Sequence, residues 1–167
     1  MKSTLFTLVF CLNAAAALAQ AGQASAGLRL GYPWSASVKY FIADDDALEA
    51  YVGWRPYSFS NAVSVAAAYQ RHYSFDLDDE FEPLRWYWGA GATVAFNSYD
   101  FDPFFLDDDY ARTQIGINGY LGVQYAFEDV PLEITFDWVP SVFPGRSYLQ
   151  FLRFNRGGVA VRYILNQ

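Results

Sequence analysis

The sequence predicts an all-β protein, an eight-stranded antiparallel up-and-down transmembrane β-barrel. From about Leu28 to Leu165, apolar and polar residues alternate along most of the chain. Aromatic residues make up 20% of the chain, and its first residues form an apolar leader. Successive side chains of a strand point to opposite faces, so this alternation gives a sheet with one apolar and one polar face. If the apolar face is outside, the barrel lies in lipid, where interfacial belts of aromatic residues are common.

Residues 1–19 are predicted to be a cleaved signal peptide. A lysine near the start gives a positive charge, the run 5–17 is apolar, and Ala17-Leu18-Ala19 forms a cleavage site. Cys11 lies inside that run and leaves with it, so the mature chain has no cysteine. Residues 20–167 are predicted to form one β-barrel domain, whose closed edges supply the stability that disulfides give many small exported proteins.

Charge and hydropathy exclude some classes of protein. The net charge is −7, and we expect no nucleic-acid partner because nucleic-acid phosphates demand a basic patch. After Gly27 no stretch approaches the roughly 20 apolar residues that a helical span requires. A membrane crossing therefore has to use strands. We expect no cofactor.

Turn residues divide the mature chain into eight candidate strands. They cover residues 26–34, 36–43, 47–55, 62–75, 84–96, 113–127, 132–139 and 157–165. Most are close to the roughly 9–11 residues that a tilted strand needs to cross a bilayer. Strands in this number with short connections predict a single up-and-down barrel without a domain boundary.

Each candidate strand keeps a consistent phase. In chain order, the apolar phase holds Leu28, Leu30, Tyr32 and Trp34; Val38, Tyr40 and Ile42; Leu48, Ala50, Val52 and Trp54; Val63, Val65, Ala67 and Tyr69; Trp86, Trp88, Ala90, Ala92 and Val94; Ile115, Ile117, Leu121, Val123 and Tyr125; Leu132, Ile134, Phe136 and Trp138; and Val159, Val161, Tyr163 and Leu165. The polar phase carries Arg29, Lys39, Glu49, Arg85, Glu133, Asp137 and Arg162. We expect these charges to form a paired network in the barrel lumen, because an unpaired buried charge costs several kcal/mol.

One arginine breaks the pattern. Arg71 lies on the apolar phase near a strand end, between Tyr69 and Tyr73. There an arginine can reach the lipid headgroups beside an aromatic belt.

A soluble lipocalin-like barrel is the competing architecture, with its apolar face inside around a ligand. Two features favour the transmembrane barrel instead. Aromatic residues of the apolar phase lie toward strand ends, as in an interfacial belt. Glycines lie on the polar phase, where a crowded interior needs room for large neighbours.

These features resemble the small eight-stranded outer-membrane β-barrels of Gram-negative bacteria, of the OmpA and OmpX type. The resemblance covers the whole mature chain and includes a terminal strand, Gly158-Val159-Ala160-Val161-Arg162-Tyr163, similar to the signal read by the barrel-insertion machinery. The tail Leu165-Asn166-Gln167 departs from the aromatic ending usual in that family. The resemblance implies a monomer in the cell outer membrane. It also implies contacts with outer-membrane lipid and lipopolysaccharide, and with periplasmic chaperones and the insertion machinery during biogenesis. No peptidoglycan-binding domain is expected after the barrel.

An even strand number places both termini on one side, which is the periplasm in exported barrels, with the longer loops outside. The predicted inner turns are residues 44–46, 76–83 and 128–131, and all are acidic. The predicted outer loops are residues 33–35, 56–61, 97–112 and 140–156. The two longest connections thus fall outside, as the orientation requires.

Catalytic and metal-binding patterns are weak. The single histidine, His72, has Ser74 and Asp76 on its own phase, but such neighbours are roughly 7 Å apart along a strand, too far for a relay. Asp100, Asp102, Asp107, Asp108 and Asp109 crowd one outer loop, but their spacing matches no calcium loop, so a solvated loop is expected. We predict no catalytic residues and no metal site.

The last outer loop holds Arg146, Arg153 and Arg156 with several aromatic residues. The guanidinium group of arginine matches the geometry of phosphate oxygens, so these arginines are candidates for contacts with lipid phosphates. The simpler interpretation is that the aromatic residues pack together and the arginines are solvated. The predicted role is structural: envelope integrity or surface contact, with a lumen filled by side chains. The alternatives are an outer-leaflet lipid-modifying enzyme, and a surface adhesin or small-ligand-binding barrel.

Overall fold

The computed structural model describes residues 22–31, 33–57, 60–75, 83–99, 113–143 and 156–166, with the backbone alone described for 55–57, 60–62, 97–99 and 156. The strands are β1 Ala24–Leu30, β2 Trp34–Phe41, β3 Asp46–Tyr57, β4 Ser60–Ser74, β5 Leu84–Tyr99, β6 Thr113–Ala126, β7 Leu132–Val139, β8 Ser141–Val142 and β9 Arg156–Ile164. Within the described ranges, no helix is long and apolar enough to cross a membrane.

The strands form a closed antiparallel ring. Each strand from β1 to β6 pairs with the next one in sequence, and β9 pairs with both β7 and β1, which closes the circle. β7 and β8 share one register against β6, where Leu121 faces Trp138 and Ile117 faces Val142. They are one strand interrupted at Pro140, which has no N–H to donate. The wall therefore has eight strands, and the predicted up-and-down barrel is confirmed.

The end of the first predicted strand was wrong. Residues 26–34 were expected to form one strand, but β1 ends at Leu30 and Trp34 opens β2, opposite Trp54 of β3. Pro33 lies between the two strands, and its ring fixes a backbone turn while removing a hydrogen-bond donor. The apolar phase alone could not place this boundary, because Trp34 is outward-facing in either strand.

Several hairpins extend beyond the predicted strand ends. Residues 56–61 were expected to form a loop, but β3 and β4 remain paired as far as Tyr57 and Ser60. The expected loop over residues 140–156 begins with strand, because Ser141 and Val142 pair with β6. Pairing continues past the span that a bilayer requires, since each added pair satisfies further backbone N–H and C=O groups.

The two faces of the wall have opposite chemistry. Outward residues such as Leu28 and Ile115 are 62% and 66% exposed, whereas the inward Arg162 is 0% exposed. A water-soluble fold has the reverse arrangement. We call the end that holds the described chain termini and the turns 42–45 and 127–131 the terminal end, and the opposite end the loop end.

Candidate functional site

Six of the seven predicted lumen charges meet inside the barrel. The basic members are Arg29, Lys39 and Arg162, and the acidic members are Glu49, Glu133 and Asp137; all are buried. Because three cations face three carboxylates, the formal charges of this set cancel. We call these six residues the lumen charge network.

Arg162 of β9 is the centre of the network. Its guanidinium forms an ion pair with Glu49, and its Nη1 lies 3.2 Å from Oε1 of Glu133. Nε donates to Oγ of Ser37 at 2.9 Å, and Nη1 donates to Oγ1 of Thr135 at 3.3 Å. One side chain therefore connects β9 with β2, β3 and β7.

Arg29 forms a second centre on β1. It pairs with Asp137, and its Nη1 lies 3.6 Å from Oε1 of Glu49. The hydroxyl of Tyr87 donates to the other oxygen of Asp137 at 2.8 Å. The guanidinium also lies 5.6 Å from the centroid of the Tyr51 ring, within the range of a cation–π contact. Each oxygen of Asp137 thus has a partner.

Lys39 reaches its carboxylate through an amide. Its Nζ donates to Oε1 of Gln124 at 2.9 Å, and Nε2 of Gln124 donates to Oε2 of Glu133 at 3.0 Å. Nζ also lies 4.9 Å from the centroid of the Tyr87 ring. Nε2 of His72 lies 3.1 Å from the same oxygen of Gln124, and donates to it in the tautomer that this contact requires.

His72 is packed as a lumen residue. Its ring centroid lies 5.0 Å from that of Phe41 and 4.9 Å from that of Tyr87. Ser74 is exposed at the strand end, and Asp76 lies outside the described residues. The described contacts of His72 are therefore those of a packed ring that is hydrogen-bonded to a side-chain amide. They do not include the nucleophile and the acid that a catalytic relay requires.

A second polar layer lies toward the loop end. The hydroxyls of Tyr51 and Tyr120 are 3.1 Å apart, and Nδ2 of Asn118 donates to the Tyr120 hydroxyl at 3.3 Å and to Oγ1 of Thr93. Tyr51 and Tyr120 belong to the buried cluster that also contains Val139. The lumen is thus filled by side chains over at least two successive layers.

The remaining predicted site residues lie elsewhere. Arg85 is at the terminal end, where it pairs with Asp45 and donates to the carbonyl of Asp44 at 3.1 Å. Arg146 and Arg153 lie outside the described residues, and only the backbone of Arg156 is described, at the start of β9. The acidic loop residues, Asp100, Asp102, Asp107, Asp108 and Asp109, also lie outside them. Among the described residues, no group of three His, Cys, Asp or Glu side chains is placed to hold a metal ion.

Two amides and a tyrosine that the charge pattern does not mark complete the lumen charge network. Gln70 donates to Glu49, Gln124 bridges Lys39 to Glu133, and Tyr87 binds Asp137. All three lie on the polar phase of their strands, so the alternation of apolar and polar residues indicates their inward position.

Substitution of Gly122 by alanine is expected to lower the free energy of unfolding by about 1–3 kcal/mol. A Cβ there would lie 2.6 Å from the backbone oxygen of Phe136, 2.7 Å from Cβ of Asp137 and 2.8 Å from Cζ of Tyr87, so the β7 backbone and the Tyr87–Asp137 contact have to shift. Gly158 is the matched control because it faces Asp137 from the other side, and a Cβ there would meet its nearest atom, in Arg29, at 3.4 Å. Urea unfolding of both variants in lipid vesicles measures the difference, and equal costs would contradict this packing.

The fold and its two faces define a small closed β-barrel that is polar inside and apolar outside. The chain is similar in structure to the N-terminal β-barrel domain of Pseudomonas aeruginosa OprF, with a TM-score of 0.59 and 15% identity over 86% of this chain and 96% of that one. It also matches Neisserial surface protein A (NspA), with a TM-score of 0.49 and 19% identity over 84% of this chain and 94% of that one. No protein-family model and no curated protein sequence matches. The likeness to the OprF domain shows the fold alone.

Proposed function

We propose that this protein is an integral outer-membrane β-barrel with a structural role in envelope integrity or surface contact, and without catalysis. The inverted polarity of the wall carries the proposal. Large apolar side chains such as Trp34, Ile117 and Val161 are 66%, 63% and 40% exposed on the outer wall. Exposed apolar surface this extensive is unfavourable in water at about 25 cal/mol per Å² and marks a membrane or partner surface. Lipid around the barrel removes that cost.

The filled lumen supports a structural role over a porin. An eight-stranded barrel has an interior just wide enough for side chains to fill. Here Arg162, Tyr87 and His72 are fully buried within it. An ion crossing this region would have to separate buried, paired charges, and breaking a buried pair is costly.

The orientation and the partners follow from the same proposal. The terminal end faces the periplasm and the loop end faces outward, in contact with lipopolysaccharide. Arg146 and Arg153 precede β9 in the sequence and Arg156 begins it, and these three arginines are proposed to hold lipid phosphates. Replacing all three with glutamine should reduce the lipopolysaccharide that co-purifies, and unchanged co-purification would contradict this part. The barrel is proposed to be a monomer that periplasmic chaperones and the insertion machinery deliver to the membrane.

Cell fractionation followed by gel electrophoresis tests the location. The protein should be recovered in the outer membrane and should migrate differently before and after boiling, because a closed hydrogen-bonded barrel resists detergent until it is heated. A freely soluble periplasmic or cytosolic product would contradict the proposal.

Planar-bilayer recording tests the closed lumen. The inserted protein should give no steady conductance above the bilayer background, since the lumen charge network blocks the passage. A stable open channel in most insertions would contradict the structural role and favour a pore.

A further inference from the structure

In the described part of the chain, the outward-facing strand residues carry one ion pair and are otherwise uncharged. Among the outward-facing strand residues whose side chains are described, Arg71 and Asp46 are the only two with a charge. They face each other across the β3–β4 pairing, near the terminal end. A charge on a lipid-facing wall costs several kcal/mol at the bilayer midplane and little near the interface. The position of the pair near the strand ends therefore fits the level of the headgroups.

This ion pair is open to its surroundings. Nη1 of Arg71 lies 3.6 Å from Oδ1 of Asp46, and the two side chains are 45% and 24% exposed. The Tyr69 hydroxyl donates to the same oxygen of Asp46 at 2.6 Å. A guanidinium has more N–H donors than these neighbours can accept, and a carboxylate has a second oxygen to offer. Both charged groups can therefore bind a further ligand.

Aromatic side chains frame the pair on one side. The rings of Tyr73 and Trp86 stack with centroids 4.6 Å apart, and Nε1 of Trp88 donates to the Tyr73 hydroxyl at 3.4 Å. The Arg71 guanidinium lies 6.0 Å from the centroid of the Tyr73 ring. Tyrosine and tryptophan place an apolar body and a polar edge at the boundary between lipid and water. Such residues are typical of the depth at which lipid phosphates lie.

We propose that Arg71 and Asp46 form a binding site for the headgroup of phosphatidylethanolamine, with Arg71 holding the phosphate and Asp46 holding the primary ammonium. Arginine presents its donors as a fork that matches phosphate oxygens. An ammonium has N–H donors for a carboxylate, whereas a quaternary amine has none. An anionic headgroup without the amine leaves Asp46 beside a negative charge. A zwitterion with an amine close to its phosphate therefore matches the two neighbouring side chains best.

This inference rests on the proposed function, because only an inserted barrel presents the site to lipid. Native mass spectrometry of the protein purified from membranes in mild detergent tests it. Phosphatidylethanolamine, phosphatidylglycerol and phosphatidylcholine with identical acyl chains are added in equal amounts. The unmodified protein should retain phosphatidylethanolamine about tenfold better than phosphatidylcholine, since one charge-assisted contact is worth about that factor.

Variants assign the preference to the site. Arg71→Gln should lower phosphatidylethanolamine retention about tenfold, and Asp46→Asn should abolish the preference for phosphatidylethanolamine over phosphatidylglycerol. Arg85→Gln is the matched control, because Arg85 also pairs with an aspartate near the terminal end but on the inward phase. Its lipid retention should not change.

Two results would overturn the site in an inserted barrel: equal retention of the amine and quaternary headgroups by the unmodified protein, or the same loss in Arg71→Gln and Arg85→Gln. If Arg71→Gln fails to fold, the headgroup comparison on the unmodified protein decides. Absence of the protein from the membrane fraction would instead overturn the proposed function.

Discussion

Replacement of Arg162 by methionine is expected to lower the free energy of unfolding by about 3–5 kcal/mol. The guanidinium is fully buried and contacts both Glu49 and Glu133. Without it, two carboxylates face each other in the lumen with one fewer cation. Methionine keeps much of the volume, so the expected loss comes from charge and hydrogen bonding more than from a cavity.

A second substitution separates charge from packing. Adding Glu49→Gln to the Arg162→Met variant restores the charge balance of the lumen, so the double variant should be more stable than the single one. Arg85→Gln removes a partly exposed arginine at the terminal end and should cost less than about 1 kcal/mol. Urea unfolding in phospholipid vesicles, followed by gel migration without boiling, measures all three. A loss in Arg162→Met no larger than in Arg85→Gln would contradict the buried network.

Replacement of Val65 by arginine is expected to lower the free energy of unfolding by about 2–4 kcal/mol. Val65 faces outward, 47% exposed, and pairs with Val52 and Val94 midway along its strand. In lipid, an arginine at this position either stays far from the lipid headgroups or deforms the bilayer to reach them. In water, the same change on a half-exposed side chain would be nearly neutral.

Tyr163→Arg is the control for depth. Tyr163 also faces outward, 52% exposed, but it lies near the terminal end of β9. An arginine there can reach the headgroups, so the cost should fall to about 0–1 kcal/mol. Equal costs at Val65 and Tyr163 would contradict a lipid boundary that depends on depth.

Much of the wall could be predicted from the sequence because strand alternation fixes which side chains share a face. This is why the inward positions of Arg29, Glu49 and Asp137 follow from phase alone. Phase gives no height along the barrel axis, which depends on the register of every strand pair. The bridge from Lys39 through Gln124 to Glu133 includes one contact, from Lys39 to Gln124, between residues 85 apart in sequence, so no local pattern predicts it.

The Arg71–Asp46 pair shows the same limit on the outer wall. Asp46 was expected in an acidic turn, whereas it begins β3 and faces Arg71 of β4. One residue of difference in the strand start turns a solvated acid into the partner of an outward-facing arginine. Alternation identified Arg71 as an exception to its phase, but its partner follows only from the β3–β4 register.

Site-directed spin labelling of the outer wall tests the central claim, that the apolar face lies in lipid. A nitroxide is attached at Val65→Cys in a chain whose Cys11 is replaced by serine, with Asp129→Cys in the exposed 127–131 turn as the water-facing control. In the membrane-bound protein, the label at residue 65 should be relaxed by oxygen, which concentrates in lipid, and protected from a water-soluble nickel chelate, while the control shows the opposite. Equal relaxation of both labels by the nickel chelate would contradict the account.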